Sequence, residues 1–507
     1  MAFRGHDESE DSENRGNFLE LLRFLADHNV LIDGVVLQNA PGNCKLVAPP
    51  IQKEIIHAAA VETTNKIMEE LGDELFSVLV DESRDISCKQ QMAVLLRYVS
   101  KKGSIVERFI AVVHVKETTS ISLKESLEEL FCKYKLSFSR LRGQGYDGAS
   151  NMRGEFNGLK ALILNENSSA YYVHCFAHQL QLVLVAVAKK HKRIATLFED
   201  ISNAQNTVGA SCKRRDQLRE SRAAEVQKAL GNDDFLTGTG LNQEIGLARS
   251  GDTRWSSHYK SLTNLIILFG SVMAVLDDIM ENADDDCQHK IDVLNMAHKK
   301  VTKRSERGSD GMTNQHYYRV ELFYSVIDLI LRELNDRFTE ANTELLRCMS
   351  CLHPRSNFCA FDKVKLIDLA RFYPNDFSMS ELSFLETQLD CYIEDLRTDQ
   401  DFQQLDGMSD LSQKLVEKRK DIVYPLVYKL IKLALLLPVA TASVERAFSA
   451  MKLIKTRLRS RMGDDFLNDN LVTYIERDVF KKVPREAIMQ RFQTMKSRKG
   501  LLLALEN

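Results

Sequence analysis

A change of hydrophobic period part-way along the chain limits the folds open to it more than any other feature. Between residues 76 and 175 the apolar residues come in short runs: FSVLV (76–80), MAVLLRYVS (92–100), IVERFIAVVHV (105–115), RLRGQG (140–145) and YYVHC (171–175). Runs of that length bounded by turn formers read as strands, and the KKG turn makes the second and third a hairpin. Helical spacing fills the gaps at 123–135, 149–164 and 177–191. Strand, strand, strand, helix, strand, helix, strand, helix is an α/β unit with a mixed sheet. After residue 191 the strand signal nearly vanishes. Segments 262–280 and 320–338 are amphipathic helices, and in the second Phe323, Val326, Ile330, Leu334 and Phe338 share a face. A basic loop (299–311) and a polar break (402–413) interrupt this stretch, and a helical block over 422–462 follows it. Two further helices, 18–32 and 51–72, precede the first strand.

Composition excludes several classes. The 507 residues are 44% hydrophobic and 27% charged, ordinary globular material with room for a large core. The formal net charge of −3 announces neither nucleic acid nor membrane, so any basic surface must be local. The ten cysteines follow no framework, which suits free thiols in a reducing compartment. The polar, acidic start MAFRGHDESEDSENRGN is not a signal peptide, and residues 1–17 read as a disordered acidic segment. The longest apolar stretches, 265–276 and 433–442, are too short to span a bilayer.

One stretch poses a chemical question. LRGQGYDGASNMRGEF (141–156) sets a single aspartate, Asp147, among four glycines. A plain turn accounts for it; so does a carboxylate held at a strand end and aimed at something positive. Asp81 follows the first buried strand, and Glu445 lies in ATASVERAFS some three hundred residues on. Two-metal phosphoryl transfer needs hard oxygen ligands fixed by a rigid sheet, and carboxylates at strand ends meet that need. With 71 acidic residues, any one such placement is also expected by chance.

FSVLVDESRD, GQGYDGASNMRG, YVHCFAHQLQL, DTRWSSHY and SVERAFSAMKLIKTRLRSRM, in that order, resemble the hAT superfamily of DNA transposases. The nearest likeness is to the plant TTF-type zinc-finger proteins with a hAT dimerisation domain, akin to the zinc-finger MYM-type group. The resemblance covers about residues 1 to 480. It implies an RNase H-like core interrupted by a large helical insertion and closed by a C-terminal helical dimerisation region. Asp81, Asp147 and Glu445 would form the Asp-Asp-Glu triad, holding Mg²⁺ or Mn²⁺. Trp255, the only tryptophan, would stack on a base beside Arg254; packing between helices explains it equally well. RGHDES (4–9) resembles the stretch after the zinc finger of full-length relatives. No cysteine precedes Cys44, so that finger is missing and a shortened member of the group is expected.

Cys175 and His178 match the Cys-x-x-His pair of the group. Three apart, they share a helical face, but zinc would need two more ligands, so support of the core is the better reading. Cys348, Cys351, His353 and Cys359 are likewise read as core, and no zinc site is expected. In the C-terminal block Phe448, Met451, Ile454 and Leu458 follow helical spacing, with Lys452, Lys455, Arg457, Arg459 and Arg461 crowded among them. An amphipathic core helix with a solvated basic face is one reading. The resemblance implies dimerisation through Phe448, Leu458, Leu467, Leu471 and Ile475, and DNA contacts from Lys455, Arg457 and Arg459.

These readings divide the chain into an acidic N-terminus (1–17), a helical lead-in (18–75), the first part of the core (76–191), a helical insertion (192–421), the core helix with dimerisation region (422–480) and a tail (481–507). The expected function is that of a nuclear, transposase-derived protein, domesticated or decaying, that dimerises and binds DNA. The alternative is an active metal-dependent transposase. Neither a membrane nor a small-molecule substrate is expected.

Overall fold

The computed structural model of the chain describes residues 7–9, 11–42, 45–154, 157–209, 211–230, 245–247, 255–281, 317–337 and 341–496. Contacts divide the chain into two compact units, residues 1–176 with 340–507, and residues 177–339. The first carries a mixed sheet of β1 (Phe76–Arg84), β2 (Gln90–Val99), β3 (Ile105–His114), β4 (Leu141–Tyr146) and β5 (Tyr171–His174). The strand order is β3-β2-β1-β4-β5. The hairpin neighbours pair antiparallel, while β1–β4 and β4–β5 pair parallel. The α/β unit expected from the spacing is therefore present. β1 runs further than FSVLV. Its pairing with β2 continues through Asp81, Glu82 and Ser83 to Arg84, so Asp81 lies inside the strand rather than after it.

The strands read as unbroken apolar runs because both faces of the sheet are covered. On one face Phe76, Val78 and Val80 pack with Leu123, Leu127 and Phe131 of the Ser120–Lys133 helix. On the other, Leu79, Ala93, Leu95 and Phe109 meet Val444, Phe448 and Met451 of the Ala442–Ile454 helix. Leu467, Leu471 and Val472 of the Asp464–Ile475 helix complete that layer. Helices between 341 and 421 share the first core: Cys348, Leu366, Leu385 and Leu411 are buried in it. The units thus divide at 176 and 339, not at the expected 191 and 421, since an amphipathic helix reads alike whichever core it covers. Cys348 and Cys351 are buried there as expected, and burial raises both thiols, whereas His353 is half-buried and Cys359 exposed, against the core reading of all four.

The described part of the second unit is built of helices and contains no strand. The segment expected to be one helix over 262–280 is two, Trp255–Ile267 and Phe269–Glu281, bent by 75°. No single helix among the described residues is long and apolar enough to cross a membrane. At the chain's ends the expectations change. Gln52 Nε2 donates to Glu8 Oε1 at 3.1 Å, so part of the acidic N-terminus is tied to the fold. The tail contains a helix, Arg485–Thr494, whose Arg491 Nε donates to Glu62 Oε1 at 2.6 Å.

The C-terminal segment is built into the sheet. β3 is an edge strand, and its outward amides are capped from this segment: Val112 N donates to Asn468 Oδ1 at 2.9 Å and Phe109 N to Glu476 Oε1 at 2.7 Å. Covering an edge in this way removes a template for unwanted strand pairing. The expected dimer stripe is therefore largely internal. Leu467 is fully buried, Leu471 and Phe448 nearly so, and Ile475 packs half-buried beside them. Only Leu458 of the five stands in solvent, at 98% exposure.

A buried ion pair fastens the same segment. Lys455 Nζ donates to Asp85 Oδ2 at 2.7 Å, with both side chains essentially without solvent. Asp85 also accepts from Ser87 N, Ser87 Oγ, Lys89 N and Gln91 Nε2. Burial opposes its ionisation, but the bonds from Lys455, Ser87, Lys89 and Gln91 outweigh that and hold the carboxyl well below its ordinary range. Lys455 is therefore a core cation and not a DNA contact, correcting the expectation above.

Two outcomes are expected. Lys455→Met leaves Asp85 buried without its cation and should cost about 3–5 kcal/mol in chemical denaturation. Because the folded carboxyl is depressed, this contribution is fully present above the unfolded value of 3.8 and lost as pH falls below it. The gap between wild type and variant should therefore narrow in acid. Leu471→Glu should abolish cooperative melting in circular dichroism rather than yield a folded monomer, since its charge would enter the core; a folded variant would refute the burial.

Candidate functional site at the carboxyl end of the sheet

β1 and β4 set the first two carboxylates. Their parallel pairing aligns Ser77 with Gly143 and Leu79 with Gly145. The parallel ladder stops there and β4 ends at Tyr146, so Asp81 lies in the β1–β2 ladder and Asp147 in the loop just after β4. Side chains alternate along a strand, so Asp81 shares the face of Leu79, the face covered by the Ala442–Ile454 helix. Asp147, one residue past the end of β4, closes a tight turn, its Oδ1 accepting from Ala149 N at 3.2 Å.

The glycines of that loop serve close packing. A Cβ on Gly143 would lie 2.9 Å from Pro438 Cδ, and one on Gly145 would lie 2.8 Å from Pro438 Cγ. Pro438 belongs to the connector that leads into the helix bearing Glu445. The connector is tied to the end of β5 as well. Phe176 N donates to Val439 O at 3.0 Å, and Thr441 N donates to the buried Cys175 Sγ at 3.3 Å. Cys175 is thus an acceptor that sets the start of the helix, in keeping with a supporting role. His178 lies in the other compact unit, half-buried.

Glu445 occupies the first turn of its helix and is exposed, while Val444, Ala447 and Phe448 on either side pack on the sheet. Asp81 and Glu445 thus belong to elements that pack together on one face of the sheet, and Asp147 to the loop at the end of β4. Among the described residues, no three His, Cys, Asp or Glu side chains are grouped closely enough to hold a metal ion. Asp81, Asp147 and Glu445 are hard oxygen donors of the type Mg²⁺ or Mn²⁺ takes, but they do not form a three-carboxylate cage in this structure.

Glu82 carries a role that sequence reasoning missed. Its Oε1 accepts from Asn151 Nδ2 and its Oε2 from Gln90 Nε2, both at 2.9 Å. Asn151 Nδ2 also donates to Thr118 O at 3.0 Å. Glu82 therefore clamps the turn after Asp147 to the end of β1. Burial raises its carboxyl, the bonds from Gln90 and Asn151 oppose the rise, and the charge of Asp147 adds to it. The only sequence signal was its place beside Asp81 in DESRD.

The remaining expected contacts fall in different places. Trp255 is half-buried in an aromatic group, stacked on His258 with centroids 5.4 Å apart and edge-on to Phe198 at 5.9 Å. Arg254 lies outside the described residues. Arg457 is exposed and Arg459 half-buried, the latter donating from Nη1 to Ile454 O at 3.4 Å.

Comparison with known proteins agrees with this architecture. The chain is similar to the 52 kDa repressor of the inhibitor of the protein kinase from Homo sapiens, 22% identical over 77% of this chain and 60% of that protein. The Mus musculus protein of the same name is 20% identical over the same shares. The chain thus spans about 60% of the length of these curated relatives. Residues 1–158 match the ZMYM1/FAM200 RNase-like domain, and residues 390–479 match the hAT family C-terminal dimerisation region. The chain therefore carries an RNase-like domain of the ZMYM1/FAM200 type, which holds β1 to β4, and a hAT-type C-terminal dimerisation region, which supplies helices that cover the sheet.

Proposed function

We propose that this protein is a domesticated hAT derivative that dimerises and binds DNA in the nucleus, its RNase-like sheet serving as the scaffold. One observation carries the reading. Between Arg446 and Gly463 the sequence holds six basic residues and no acidic one, in a chain of net charge −3. Lys455 is neutralised by Asp85; Arg446, Lys452, Arg457 and Arg461 are exposed, and none of these four or Arg459 is paired with a carboxylate among the described residues. A local cationic surface of this kind attracts phosphates even on an acidic protein. The similar proteins are named as repressors, which supports a regulatory role.

Dimerisation draws support from the matched region. With Phe448, Leu467 and Leu471 internal, a dimer face would use the exposed apolar residues of that region: Ile422, Val423, Leu453 and Tyr474.

The test of DNA binding is fluorescence anisotropy of the full chain with duplex DNA over a salt series. Affinity should fall steeply with salt, and Arg457→Ala should weaken binding across sequences and reduce the log–log slope by about 1. Binding that is absent, or insensitive to salt, would refute the reading.

A second reading is metal-dependent DNA cutting by Asp81, Asp147 and Glu445, favoured by the origin of the two aspartates in β1 and in the loop after its parallel neighbour β4. A bound divalent ion would activate a water or hydroxyl for attack on a phosphodiester. On this reading the chain's own part is to fix one carboxylate in β1 and one in the loop after β4, with the Glu82 clamp holding the turn that follows Asp147. Nicking of supercoiled DNA with Mg²⁺ or Mn²⁺, abolished by Asp81→Asn, would establish it; nicking that survives Asp81→Asn would not come from this site.

A further inference from the structure

The segment after the Ala442–Ile454 helix ends in a single turn, Arg457–Arg459, with Leu458 at its tip. We propose that Leu458 is a wedge that enters the stack of duplex DNA, with Arg457, Arg459 and Arg461 engaging the backbone and groove around it. The proposal rests on the DNA-binding reading and adds a mode of contact to it.

Leu458 is 98% exposed, the highest value among the large apolar side chains described. It is not carried on a loose segment. Lys455, three residues before it, is buried on Asp85. Arg459 N donates to Thr456 O at 2.9 Å and Met462 N to Arg459 O at 3.1 Å, while the Arg459 guanidinium reaches back to Ile454 O. The turn is therefore braced on both sides of the leucine, and the side chain is presented rather than left over.

Charge complementarity selects the occupant. Arginines flank Leu458 directly, Arg461 follows, and Lys452 is exposed one helical turn before Thr456. A second copy of the chain meeting this tip about a two-fold axis would press like patch on like patch, arginine against arginine. A polyanion meets the opposite sign. Phosphate alone would leave the leucine in water. A duplex offers both parts, since apolar wedges inserted between base steps unstack and kink DNA while arginines hold the adjacent groove and backbone.

The experiment uses the full chain and a short duplex carrying 2-aminopurine at successive steps, with a donor and an acceptor dye at the ends. Wild type should bind, raise 2-aminopurine fluorescence at one step and shorten the end-to-end distance. Leu458→Ala, a change at an exposed position that leaves the fold intact, should bind about tenfold more weakly, as expected for one leucine side chain left unburied. It should also lose both the fluorescence rise and the bend. Arg457→Ala should weaken binding yet retain the fluorescence rise. Wild-type binding without unstacking, or a Leu458→Ala protein indistinguishable from wild type, would overturn the wedge while leaving DNA binding standing. Absence of wild-type binding would remove both. Should Leu458→Ala instead lower the mass seen by light scattering with no effect on DNA, the tip belongs to a contact between copies and the wedge is wrong.

Discussion

The pairing of Lys455 with Asp85 is the interaction on which the arrangement of the sheet and its C-terminal cover depends. It joins residues 370 apart in sequence, and neither charge has access to water. Desolvating two such charges is expensive, and attraction between them repays it only with further hydrogen bonds in place. Asp85 has them, from Ser87, Lys89 and Gln91. A slipped helix would leave a carboxylate and an ammonium buried apart, so the pair acts as a register pin. It fixes the end of the Ala442–Ile454 helix on the β1–β2 turn. The start is fixed separately, by Pro438 over Gly143 and Gly145 and by Thr441 on Cys175. Glu445, between the two anchors, has its position set by both.

This places a limit on what the dimerisation region can be. Its helices cover one face of the sheet, and its Asn468 and Glu476 satisfy the outer amides of β3. Arg108 Nη1, on that edge, donates to Glu476 at 3.0 Å and to Asp478 at 2.9 Å. A segment so engaged is not an appendage that folds on meeting its partner. It is part of the monomer's core, and only what remains outside can join two chains. Any dimerisation through this region then presupposes a folded sheet.

The parts legible in sequence were those governed by local period. Strands at 92–100 and 105–115 and the helix at 51–72 appear at Gln90–Val99, Ile105–His114 and Pro49–Leu71, because each buries residues at its own repeat. What could not be read was which partner an apolar face meets. The stripe of Leu467 and Leu471 is the same string of letters whether it faces a second chain or its own β-sheet. Lys455 looked like its basic neighbours, since nothing local distinguishes a lysine that will meet Asp85 from one that stays in water. Glu82 was passed over for a similar reason: its meaning comes from Asn151 and Gln90, which only the fold brings to it.

The short motif DESRD then separates into different kinds of constraint. Asp85 is demanded by packing, since without it Lys455 has no buried partner. Glu82 holds the turn after Asp147. Gly143 and Gly145 are demanded by the approach of Pro438. All of these would be required in a protein that never cut DNA, because removing any of them disturbs the monomer. The glycine-rich approach to Asp147 is thus explained by close packing of the connector, and by itself says nothing about chemistry. Asp81, Asp147 and Glu445 are a different case. One lies half-buried within β1, one turns a loop, and one stands exposed on a helix whose neighbours do the packing. Evidence on cutting therefore has to come from these three positions, and intact glycines or an intact Asp85 weigh equally for a working enzyme and for a descendant that has kept only the scaffold.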